Sequence, residues 1–98
     1  MDRYRKGMLV RSKAGHDTGK VYIIVESADA YVLVCDGRIR TLANPKKKKF
    51  KHLQIINREY PLETMNDVQI KRILKEYHSP FSSSIVYSHI FKYLADLM

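Results

Sequence analysis

Hydrophobic positions along this chain follow two rhythms. From Met8 to Ile56 they come in short runs separated by polar or glycine-bearing turns, and from Thr64 onward they recur at helical spacing. Met8-Leu9-Val10 predicts a first strand. Val21 to Glu26 predicts a second, with Val21, Ile23 and Val25 on one face and Tyr22 and Ile24 on the other. Ser27-Ala28-Asp29 interrupts it. Ala30 to Cys35 predicts a third strand, apolar on both faces as a central strand is. Asp36-Gly37 then reads as a two-residue type I′ turn, which needs φ > 0 at both positions. It leads into a fourth strand at Arg38-Ile39-Arg40-Thr41-Leu42, whose basic side faces water or a ligand. After Asn44-Pro45 and a lysine-rich arm, Leu53 to Ile56 closes the set as a fifth strand. Five short strands joined by tight turns point to a small barrel or compressed sandwich, and closure would remove exposed sheet edges.

In the second rhythm, Thr64 and Asp67 have the spacing of a helix N-terminal capping box, with Asp in place of the usual Glu. Val68, Ile70, Ile73, Leu74 and Tyr77 follow at helical spacing, and His78-Ser79-Pro80 ends that helix. Ser82-Ser83-Ser84 can cap a second helix from Ile85 to Met98. There Ser88, His89, Lys92 and Asp96 form a narrow polar stripe on an otherwise apolar surface. So wide an apolar face must be buried within the molecule or against a partner. The expected fold class is mainly β with C-terminal helices: a barrel over residues 1–58, then a helical extension of two short helices over 59–98. Self-association through 85–98 is the alternative fate of the last helix.

Ninety-eight residues bound this to one small domain with an appendage. The charge changes the picture more than the length does. Lys and Arg outnumber Asp and Glu by 18 to 10, a net charge of +8. Residues 1–58 carry 14 basic and 5 acidic residues, whereas 59–98 carry 4 and 5. An anionic partner therefore meets the first part of the chain. The single cysteine, Cys35, lies in an apolar run and reads as a small core residue, so no disulfide framework is expected. No apolar run follows Met1 to Lys6, and Ile85 to Met98 is too short to span a bilayer. A cytoplasmic protein without a membrane partner is expected.

Two segments carry candidate chemistry. Between the first two strands, Lys13, Gly15, His16, Gly19 and Lys20 make a tight, basic, glycine-bearing loop suited to a phosphate chain. Farther on, Lys46, Lys47, Lys48, Lys49, Lys51 and His52 make six of seven consecutive positions cationic or able to become so. Such density repels itself unless phosphates neutralise it, and binding then gains from counterion release. Arg38 and Arg40 add to the same charge. Phe50, amid the lysines, reads as a hydrophobic plug closing the barrel ahead of a ring that stacks on a base. Enzyme chemistry finds little support. Asp17, Asp29 and Asp36 are turn residues, and Asp17 reads as a loop-shaping residue rather than a catalyst. The four histidines lack metal-ligand spacing. Neither a catalytic residue, a metal site nor a cofactor is expected.

Gly7-Met8-Leu9-Val10, then Ala14 to Lys20, then the apolar Val21 to Val25 resemble a KOW motif, in which a glycine followed by a basic residue is the steadiest feature, here Gly19-Lys20. The continuation through Val32 to Gly37 and Lys51-His52-Leu53 is similar to the small KOW-domain proteins of the archaeal and eukaryotic large ribosomal subunit and their short bacterial relatives. The resemblance covers roughly residues 7–56, and the tail from Tyr60 departs from it. It implies an SH3-like five-stranded barrel that binds ribosomal RNA, with contacts at Lys13, Gly15, His16, Gly19 and Lys20 and a basic arm at Lys46 to Lys49 and Lys51. Ribosomal proteins are implied as neighbours. The alternative is a protein-interaction module of the transcription or translation machinery, contacting polymerase or a ribosomal protein. A joint RNA site further requires the 13–20 loop and the 46–52 arm to share one face.

Overall fold

The computed structural model describes residues 4–77. The expected helix 85–98, and self-association through it, lie outside the described residues. The fold is mainly β. Strands β1 (Met8–Ser12), β2 (Val21–Ser27), β3 (Tyr31–Cys35), β4 (Lys46–Lys49) and β5 (Leu53–Glu59) form one antiparallel sheet in the order β4-β3-β2-β1-β5. Helix α1 (Asp67–Lys75) follows on the C-terminal side.

β4 and β5 are the two edges, yet only the 3-10 turn Phe50–His52 joins them. The sheet must therefore curl until its edges approach at that end. Register shifts between Met8 and Leu9 on β1 and between Ile24 and Glu26 on β2 assist, because a bulge sharpens local twist. No ladder joins β4 to β5 among the described residues, so the sheet is open.

Strand alternation sends side chains to two faces, and each face has its own apolar cluster. The inner face gathers Met8, Val10, Tyr22, Ile24, Val32, Val34 and Leu53, with Tyr4, Phe50 and Ile55 at its margin. Phe50 meets the Tyr4 ring at 4.7 Å between centroids and packs on this core. The outer face gathers Leu9, Val21, Ile23 and Cys35 under Leu62, Ile70 and Leu74. α1 thus lays its apolar stripe, Ile70 and Leu74, on the sheet. Burying a side chain of this kind contributes about 1.5–3 kcal/mol.

Three sequence expectations give way here. Arg38 to Leu42 is not a strand: the segment is a turn, touched only by an isolated Thr41–Asn44 bridge. Ile39, expected to face inward, is 70% exposed. The fourth strand is instead the lysine run itself. Asp36-Gly37 is not a type I′ turn either, since only Gly37 has positive φ (76°). The Asp36 carboxylate accepts from the backbone N–H groups of Arg38 (2.8 Å) and Arg40 (3.0 Å), winding the chain into a wider loop. Third, the helix cap is Asn66 rather than Thr64. Asn66 and Gln69 exchange side-chain and backbone hydrogen bonds at 2.9 Å in a capping box. Thr64 belongs to a preceding 3-10 turn, Leu62–Thr64, and the Asp67 carboxylate reaches across to the Leu42 N–H at 2.9 Å.

Candidate nucleic-acid interface

The loop between β1 and β2 is built by short backbone bonds. Ser12 and Lys20 close its neck (2.8 Å), Gly19 N–H returns to Ser12 (2.8 Å), and Lys20 N–H bonds the Asp17 carbonyl (2.9 Å). Gly19 sits at φ 91°, and a Cβ there would meet no atom within 4 Å. Its glycine is therefore needed for backbone conformation, not for space. Lys13, Gly15, His16 and Gly19 are exposed on this loop, and Lys20 is half-buried.

Asp17 turns inward from the loop. Its Oδ1 accepts from Ser12 Oγ (2.9 Å) and Lys48 Nζ (3.1 Å), and its Oδ2 from Tyr22 Oη (2.7 Å) and Lys46 Nζ (3.1 Å). Lys48 Nζ completes its coordination at Ser12 Oγ (3.1 Å) and the Ala14 carbonyl (3.3 Å). The Lys48 side chain is only 8% exposed, and a buried ammonium is tolerable only with such full pairing. Burial by itself would raise the Asp17 carboxyl. The hydrogen bonds from Tyr22, Ser12, Lys46 and Lys48 outweigh it and hold the group well below the usual carboxylate range. Burial, then the bond to Asp17, pushes the Tyr22 hydroxyl up.

A second acid stands nearby. Asp36 pairs with Lys20 at 2.6 Å. Burial opposes its charge, but Lys20 and the Arg38 and Arg40 amides win and lower its carboxyl. Lys20 also lies 5.4 Å above the Tyr22 ring.

The loop and the lysine strand therefore meet. Besides the Asp17 bonds, Lys13 N–H donates to the His52 carbonyl at 2.8 Å. The strand period divides the lysines. Lys46 and Lys48 face inward and are paired to Asp17, whereas Lys47 and Lys49 are exposed on the opposite face. Lys51 is exposed and His52 half-buried in the 3-10 turn that follows. Arg38 is exposed and Arg40 half-buried in the 36–42 turn. Among the described residues, Lys13, Lys47, Lys49, Lys51 and Arg38 have no carboxylate within ion-pair distance. Those five cations, with half-buried Arg40, are the part of the expected site open to an anion; Arg58, Lys71, Arg72 and Lys75 are exposed elsewhere on the described residues.

Sequence reasoning placed Tyr31 only as a strand residue. The structure puts its ring 4.2 Å beneath Lys47 Nζ, a cation–π pair that two-residue alternation across an unrecognised β3–β4 ladder produces. Cys35 is fully buried, and burial followed by the nearby Asp67 charge pushes its thiol up to about 12. It is inert core. No cluster of His, Cys, Asp and Glu able to hold a metal occurs among the described residues, and none of their helices is long and apolar enough to cross a membrane. No protein-family model matches the chain, and no curated protein is significantly similar to it.

Proposed function

We propose that the protein is an RNA-binding module of KOW type, an SH3-like barrel that docks on structured RNA through the 13–20 loop and the exposed lysines beside it. The observation that carries this reading is the junction of the two basic segments: Asp17 of the loop bonds Lys46 and Lys48, and Lys13 bonds the backbone of His52. On this reading the RNA meets Lys13, His16 and Lys51 around that junction, with Lys46 and Lys48 serving as its internal ties. The chemistry is backbone recognition, with ammonium groups on phosphates and a stiff loop that follows the shape of the RNA. The ribosomal character of that RNA rests on the resemblance of residues 7–56 to small ribosomal KOW proteins.

The test is filter binding of a structured ribosomal RNA fragment at increasing salt. Affinity should fall linearly on a log–log plot, with a slope reflecting several neutralised phosphates. The double variant Lys13→Glu/Lys51→Glu should weaken binding about a hundredfold at low salt and flatten the slope by about two units. Salt-independent binding, or full affinity in the double variant, would refute the reading.

A second reading has its own observation. Ile39 (70% exposed) and Val68 (62% exposed) flank the junction of the 36–42 turn with α1, and exposed apolar residues favour a protein contact. Ile39→Ser/Val68→Ser separates the two. If it abolishes co-sedimentation with ribosomal subunits yet leaves naked RNA bound, the partner is protein.

A further inference from the structure

The outer face of the sheet is not uniformly covered. α1 and its approach cover Leu9, Val21, Ile23 and Cys35. Tyr31 and Leu33 alternate with Cys35 on β3 and share its face, but neither belongs to an apolar cluster, and both are half-buried. Across the ladder, Tyr31 stands opposite Lys49 and Leu33 opposite Lys47. The result is a small platform with an aromatic ring, an aliphatic side chain and two lysines that have no carboxylate partner among the described residues. Lys51 lies just beyond. Glu26, opposite Leu33 on β2, and Asp29 in the β2–β3 turn are the neighbouring acids.

We infer that this β3–β4 face is a second nucleic-acid surface that takes a single strand, with one base stacked on Tyr31 and flanking phosphates on Lys47 and Lys49. The inference rests on the RNA-binding reading above and adds a surface separate from the 13–20 loop. Side chains two residues apart on a strand are about 6.6–6.8 Å apart, comparable to the step between successive phosphates of one extended strand. An aromatic ring beside a basic ladder on a sheet face suits single strands, whose bases are free to stack, and not duplexes, whose bases are already stacked. The ring already attracts a cation, since Lys47 Nζ sits 4.2 Å from its centre. A stacking base replaces that ammonium and leaves it at the ring edge, beside the phosphate of the same nucleotide. An acidic peptide would satisfy the lysines but make no use of the ring.

The experiment compares a single-stranded oligouridylate of about twelve nucleotides with a fully paired RNA hairpin, each labelled and titrated with the full chain. Tyr31→Ala should weaken oligouridylate binding about tenfold and leave hairpin binding unchanged. Tyr31→Phe should bind both RNAs as the wild type does, because the ring is kept. Lys49→Glu, an exposed change that does not threaten folding, should likewise lower the oligouridylate affinity more than the hairpin affinity. Lys13→Glu should do the reverse. If Tyr31→Ala stays folded and binds the oligouridylate fully, the inference is wrong. If the hairpin binds and the oligouridylate does not, the inference falls while the proposed function stands. If neither RNA binds, both fall.

Discussion

Asp17 holds four donors on two oxygens while its side chain remains 11% exposed. Its type and position mark it as a turn residue, and it is one. Its two lysine partners, however, lie 29 and 31 residues away, and no local pattern names them. Removing its charge leaves Lys46 and Lys48 facing inward without a counter-ion. Asp17→Asn should cost about 3 kcal/mol by urea denaturation, and adding Lys48→Met should recover part of that loss. A pH titration carries the same prediction with a definite sign. Asp17 and Asp36 are both lowered in the native state, so the unfolded chain takes up protons first as acid is added. Their contribution is complete above the unfolded value, about 4, and is lost progressively as pH falls towards the native values. The urea midpoint should drop below pH 4, less steeply in Asp17→Asn. A midpoint unchanged between pH 5 and pH 3 would contradict the network.

At the scale of elements, periodicity found β1, β2, β3, β5 and α1, and missed β4. Lys46 to Lys49 has no apolar member, so hydropathy is silent there. The strand forms because the edge of β3 needs a neighbour: Lys48 pairs with Val32 and Lys46 with Val34, where their aliphatic stems adjoin the inner core. Which lysines face inward follows from register, which is a tertiary property. The alternation of Arg38 to Leu42 misled for the converse reason. Asp36 satisfies the backbone amides that a hairpin would have paired, and the loop packs on α1 instead. A Cβ at Gly37 would collide with the Asp67 carbonyl and come within 2.8 Å of the Lys71 nitrogen, while φ is already 76°. Gly37→Ala should therefore destabilise by about 2 kcal/mol or more, and amide exchange should show the first turn of α1 opening earlier. Wild-type protection in that turn would mean that loop and helix are not coupled.

For the whole molecule, the two architectural layers differ in charge. The basic first part forms the sheet, and the nearly neutral Leu62 to Leu74 segment supplies its outer apolar cover. Sequence posed a shared face for the 13–20 loop and the 46–52 segment as a geometric condition; the two segments do touch, through Asp17 and the His52 carbonyl, but Lys47 and Lys49 turn to the opposite face. The division of lysines between an inner network and an outer face was not legible, because it depends on which edge β4 joins. Sheet edges expose a row of unpaired N–H and C=O groups that another strand can join. β4 presents such an edge, yet every side chain along it is a lysine, so two copies meeting edge to edge would force like charges together. The lysine strand thereby guards the chain against its own concentration. Lys47→Thr/Lys49→Thr keeps a good strand and removes that guard. Light scattering should then rise with protein concentration where the wild type stays flat, and equal scattering would show that the edge is protected some other way.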